Sequence, residues 1–130
     1  MVATLNTTQM TALDALRRAA RPLTAYEVLD VLRTSHVSAA PPTAYRALSK
    51  LIELGLAHRL ESMNAYVACC AEHGGHDPAF SICRDCGMVV ELTDPGIEAG
   101  ISAAARRGGF APTKSVIEVH GRCADCQGHA

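Results

Sequence analysis

The sequence predicts an α+β chain in two parts: three helices and a β-hairpin first, then strands and one helix around a four-cysteine metal site. Three observations carry this reading. Apolar residues recur at helical spacing up to Leu54, and two short runs flank a turn just after it. All six cysteines lie beyond residue 68, four of them in two CxxC pairs. Residues 1–68 carry a net charge of +2 and residues 69–130 one of −3, so composition changes where the cysteines begin.

Met10, Leu13, Leu16 and Ala20 share one face of a first helix, from Thr8 to about residue 20, which Pro22 ends. Thr24 with Glu27 three residues on is a capping box, and it starts a second helix with Val28, Leu29, Val31 and Leu32 apolar. A loop from Ser35 to Pro41 leads to a third helix. Pro42 suits its first turn, Ala44, Leu48, Leu51, Ile52 and Leu54 are apolar, and Gly55 is the stop. AHRL (57–60) and AYVA (65–68) around ESMN read as a hairpin. Three helices and a hairpin make the winged-helix plan, a helix-turn-helix with an added wing.

The Gly-, His- and Cys-rich CCAEHGGHDP (69–78) reads as a hinge. Beyond it, FSIC (80–83) and MVVEL (88–92) are strands flanking the first cysteine pair. Pro95 to Arg107 is an Ala-rich helix stopped by Gly108-Gly109, and SVIEVHG (115–121) is a strand running into the second pair. The domains are therefore 1–68, the hinge 69–78, and 79–130. Halves this small bury little core alone and need a metal, a disulfide or a partner chain. With 48% hydrophobic residues, two Phe and no Trp, their cores must be aliphatic.

The start MVATLNTTQM has no basic, apolar signal pattern, and no stretch approaches the ~20 apolar residues of a membrane span. A cytoplasmic chain is expected, and in that reducing compartment cysteines serve as thiols or metal ligands. A net charge of −1 argues weakly against nucleic acid, but the basic half is the one with the helix-turn-helix pattern.

Cys83-Arg-Asp-Cys86 and Cys123-Ala-Asp-Cys126 are separated by 36 residues, long enough for a strand, a helix and a returning strand. A CxxC turn aims two sulfurs at one point, so two turns complete the tetrahedral, all-thiolate set that Zn2+ favours. Such a set is closed and structural. Disulfides suit the compartment poorly, and neither pair has the strand-to-helix setting of a redox CxxC. A second set, His58, Cys69, His76 and Glu91, has donors that suit a regulatory Zn2+ and draws on wing, hinge and second domain. Spacing alone leaves its membership open, since His73 or Cys70 could replace one of the four. No nucleophile, base and orienter occur together as an enzyme would require.

PPTAYRALSKLIELGLAHRLES, then AYVAC, then His76 with six residues between it and CRDCG, then VIEVHGRCADC resemble the ferric uptake regulator family, and within it the zinc-sensing branch. The likeness runs from about Leu23 to Cys126. It implies a homodimeric repressor whose C-terminal domain dimerises, with two Zn2+ per chain, binding palindromic operator DNA with Zn2+ as corepressor to control zinc uptake. It places the structural zinc on Cys83, Cys86, Cys123 and Cys126 and the regulatory zinc on His58, Cys69, His76 and Glu91. DNA contacts fall on Tyr26, Tyr45 and Arg46; the last pair lies in the early turns of the third helix, where Arg46 has the fork that reads guanine. In the other reading Tyr45 packs into the core and Arg46 meets only phosphate. An iron, manganese or peroxide sensor is the alternative within the family, disfavoured by Cys69. Two features depart from relatives: TTQM stands where many have an Arg near the start of the first helix, and only QGHA follows the last cysteine in place of a His-rich tail.

Overall fold

A computed structural model describes residues 4–19, 21–69 and 79–128. The chain divides into two compact units, Met1–Gly74 and Gly75–Ala130.

In the first unit, α1 (Thr7–Ala19), α2 (Ala25–Leu32) and α3 (Pro41–Glu53) precede β1 (Ala57–Leu60) and β2 (Ala65–Ala68). Helix α1 opens one residue earlier than the apolar pattern predicts. The reason is a reciprocal cap: the Gln9 N–H donates to Asn6 Oδ1 at 2.8 Å and the Asn6 N–H to Gln9 Oε1 at 3.1 Å. The predicted box on α2 is present, with the Glu27 N–H donating to Thr24 Oγ1 at 3.2 Å and the Thr24 N–H to Glu27 Oε1 at 2.9 Å. That Thr24 N–H, with the Arg21 guanidinium next in weight, holds the Glu27 carboxyl below its ordinary pKa. Helix α3 starts on Pro41 and ends in a Schellman turn. Gly55 at φ +76° lets its own N–H reach Ile52 O and the Leu56 N–H reach Leu51 O.

Strands β1 and β2 pair antiparallel from Ala57↔Ala68 to Leu60↔Ala65. Leu23, between α1 and α2, bridges to Tyr66 through two backbone hydrogen bonds of 3.0 and 2.8 Å, which ties the wing to the helices. The core is aliphatic, as the composition requires: Leu13, Leu16, Val28, Leu29, Leu32, Leu48 and Leu51 are buried, joined by Tyr66. Each such side chain contributes roughly 1.5–3 kcal/mol over leaving it in water. Met10, Val31 and Ile52 follow the helical period yet are exposed, so the buried stripe is narrower than the apolar pattern.

The second unit holds β3 (Ala79–Cys83), β4 (Val89–Leu92), α4 (Pro95–Arg107), β5 (Ile117–Gly121) and α5 (Ala124–Gln127). The sheet order is β4-β3-β5, with β3–β4 antiparallel and β3–β5 parallel. A parallel neighbour needs a crossover, and α4 lies in it. Asp94 caps α4, accepting from the Gly96 N–H at 2.8 Å, and Gly109 at φ +77° ends it. Yet α4 buries none of its side chains, and Ile101 is exposed. The turn α5, which the sequence pattern does not reveal, begins inside the second cysteine pair with Cys123 as its N-cap, so that pair does lead from a strand into a helical turn, contrary to the expectation from sequence. No helix among the described residues is long and apolar enough to cross a membrane.

Candidate metal centre and nucleic-acid surface

Parallel pairing of β3 with β5 explains why two distant CxxC turns meet. Cys83 is in register with Gly121, so the chain leaves both strands at the same end of the sheet. The first turn closes with Gly87 at φ +78°, its N–H donating to Cys83 O at 3.0 Å. The second winds into α5, where the Gln127 N–H donates to Cys123 O at 3.0 Å. Cys83 Sγ lies 3.6 Å from Cys126 Sγ, and Cys86 Sγ 3.7 Å from Cys123 Sγ. All four sulfurs lie within 4.8 Å of one another.

These separations decide between a metal and disulfides. A disulfide needs about 2.0 Å between sulfurs. A tetrahedron with Zn–S bonds of ~2.3 Å has sulfurs ~3.8 Å apart. The cluster therefore fits a tetrahedral zinc ion, and four protein ligands leave no position for a substrate. Its electrostatics agree. The Cys123 N–H, 3.3 Å from Cys83 Sγ, and then the Cys86 and Asp85 N–H groups lower the Cys83 thiol to about 6. The neighbouring Cys123 and Cys83 sulfurs push the Cys126 thiol up. Backbone donors thus favour a thiolate at Cys83, while the crowding of sulfurs disfavours further thiolates at Cys86 and Cys126, a penalty that a bound cation would offset.

Of the second predicted set, His58 and Cys69 come together within the first unit. His58 is on β1 opposite Val67, and Cys69 follows β2 with its N–H on Leu56 O at 2.9 Å. That pairing puts both side chains on one face of the hairpin, with ligating atoms within 4.8 Å. Glu91 belongs to the second unit, on β4 opposite Phe80. His76, and its possible substitutes Cys70 and His73, lie outside the described residues.

Helix α3 turns Ala44, Ala47, Leu48 and Leu51 inward and leaves Tyr45 and Arg46 exposed. Tyr45 is 41% exposed, against the reading that packs it into the core. Tyr26, the second residue of α2, is exposed as well. Sequence reasoning passed over Asp85 and Arg122, whose side chains join the two CxxC turns. Their pairing is set by the strand register, which local patterns do not reveal.

The family model described as the ferric uptake regulator family matches residues 5–120. The chain is similar to the zinc uptake regulation protein of Escherichia coli (strain K12), 44% identical over 105 residues, which is 80% of this chain. It spans only 61% of that relative's length. It is also similar to the zinc uptake regulation protein of Mycobacterium tuberculosis, at 30% identity over 79% of this chain and 78% of the relative. Among solved structures, one described as a zinc uptake regulator complexed with zinc and DNA matches with a TM-score of 0.90 and 38% identity, covering 97% of this chain and 85% of that one. The chain belongs to the ferric uptake regulator family.

Proposed function

We propose that this chain is a zinc-responsive transcriptional repressor that binds palindromic operator DNA as a homodimer, uses Zn2+ as corepressor and controls zinc uptake genes in the cytoplasm. The observation that carries the reading is its likeness, over nearly its whole length, to the regulator solved with zinc and DNA. In this reading residues 1–68 read DNA through Tyr26, Tyr45 and Arg46, and residues 79–130 dimerise. One zinc on Cys83, Cys86, Cys123 and Cys126 holds the fold. The other, on His58, Cys69, His76 and Glu91, senses the metal.

Each part has a physical rationale. Arg46 is exposed in the half of α3 that a helix-turn-helix inserts in the major groove. Val90 and Val119, paired with Ser81 on one face of the sheet, are about half exposed, and α4 is unburied. A second copy of the chain would cover this apolar surface. Because the sensing set draws on wing, hinge and second domain, zinc there selects one arrangement of the domains and so couples to DNA binding. Cys69, a soft ligand, favours zinc over the iron, manganese and peroxide sensors of the family.

Metal analysis of the purified protein before and after mild chelation, paired with DNA shift assays against zinc, tests the reading. Two zinc ions per chain are expected, one of them labile and required for DNA binding. DNA binding that ignores zinc, or that iron or manganese restores and zinc does not, would contradict it.

A further inference from the structure

We infer that Asp85 and Arg122 form a clip that holds the second CxxC turn on the first, making the release of that turn the step that opens the four-sulfur site. The inference rests on a zinc ion at that cluster. Arg122 Nε donates to Asp85 Oδ2 at 2.7 Å, across 37 residues of sequence. Asp85 lies inside the first turn, between Arg84 and Cys86, and Arg122 immediately precedes Cys123.

The two turns are anchored unequally. The first grows out of β3, the central strand, paired on both sides, and its Cys83 is buried. The second follows β5, which within the chain pairs with β3 alone, and no side chain of α5 is fully buried. Its hold on the first turn, among the described residues, is polar. The Arg84 N–H donates to Gly121 O at 2.8 Å, the Cys123 N–H meets Cys83 Sγ at 3.3 Å, and Arg122 meets Asp85. Gln127 Nε2 donates to Arg122 O at 2.7 Å, so the clip residue is also tied to the turn it carries. Because no side chain of α5 is fully buried, the second turn is the one that leaves when a chelator competes for the metal, and the ion pair opposes its departure. Arg122 and Asp85 are positioning residues, since neither touches the sulfurs' metal position itself.

Zinc transfer from the full-length protein to a colorimetric chelator measures the effect, with thiol alkylation followed by mass spectrometry to order the openings. Arg122→Ala and Asp85→Ala should each speed zinc loss by up to about fivefold, the range of an exposed ion pair. Asp85→Arg combined with Arg122→Asp should return the rate toward wild type, which a loss of packing alone would not do. Cys123 and Cys126 should be alkylated before Cys83 and Cys86, with their lead widened in Arg122→Ala. Should Arg122→Ala fail to fold, Arg122→Lys, with charge kept and fork lost, should show an intermediate rate. A wild-type rate in both single variants, or earlier alkylation of Cys83 and Cys86, would overturn the clip. A wild-type protein with no zinc on these cysteines would overturn the zinc assignment as well.

Discussion

Among the described residues, the first unit buries eighteen apolar side chains, from Ala12 to Tyr66, while the second buries four: Ala79, Phe80, Ile82 and Cys83. The units differ far less in length than in core. The first has an extensive aliphatic interior, larger than the sequence predicts for so small a half, with caps at Asn6 and Thr24 and a Schellman stop at Gly55. The second has a three-stranded sheet, a helix with no fully buried side chain and a cluster of four sulfurs. Where burial is missing, cross-linking must stabilise the fold, because metal binding free energy is then folding free energy.

Breaking the cross-link should give the largest effect. Cys86→Ser or Cys123→Ser should unfold the second unit, a loss on the order of several kcal/mol, while the helices of the first remain. Amide spectra with bound-metal counts would check this; a folded second unit with unchanged melting would erase the contrast. The converse perturbation is Leu48→Ala, which empties a fully buried position at the centre of the first unit. It should cost about 2–5 kcal/mol of that unit's stability, read by denaturant unfolding, and leave the four-sulfur metal in place. Functionally, Arg46→Ala should lose about 1–3 kcal/mol of operator binding and relax preference at one base pair per half-site. An equal loss on unrelated DNA would make Arg46 a phosphate contact.

The smallest effect concerns the α2 cap. Thr24→Ala should cost about 1 kcal/mol. The backbone N–H of residue 24 and Arg21, which lower the Glu27 carboxyl, survive that change, so the pH dependence of the cap is tested by Glu27→Gln instead. Glu27 has its carboxyl lowered in the folded state, so its contribution is present above the ordinary carboxylate range and lost as acid protonates it. Urea titrations at neutral and acid pH should show the Glu27→Gln deficit shrinking with acid.

Much of this was legible in residues that act locally. Thr24 with Glu27, Gly55, the 57–60 and 65–68 hairpin and both CxxC turns each state their own conformation through caps, φ preference or ligand geometry. What escaped is set at long range. The apolar period counts Met10, Val31 and Ile52 as core, yet it cannot say how wide a stripe the neighbours cover. The parallel register of β3 and β5 brings the CxxC turns together and pairs Arg122 with Asp85, and no local pattern encodes it. For the proposed sensing set, chemistry nominates the residue types and the family resemblance assigns them, while the structure brings together His58 and Cys69 within one unit.

The central claim is that zinc acts twice, once to hold the second unit and once to license DNA binding, and Cys69→Ser separates the two. Zinc titration of this variant, followed by bound-metal count and by operator shift, should show a folded dimer. It should retain the four-cysteine zinc and fail to bind its operator at zinc levels that saturate wild type. A Cys69→Ser protein that keeps two zinc ions per chain and a normal zinc-dependent shift would contradict the claim.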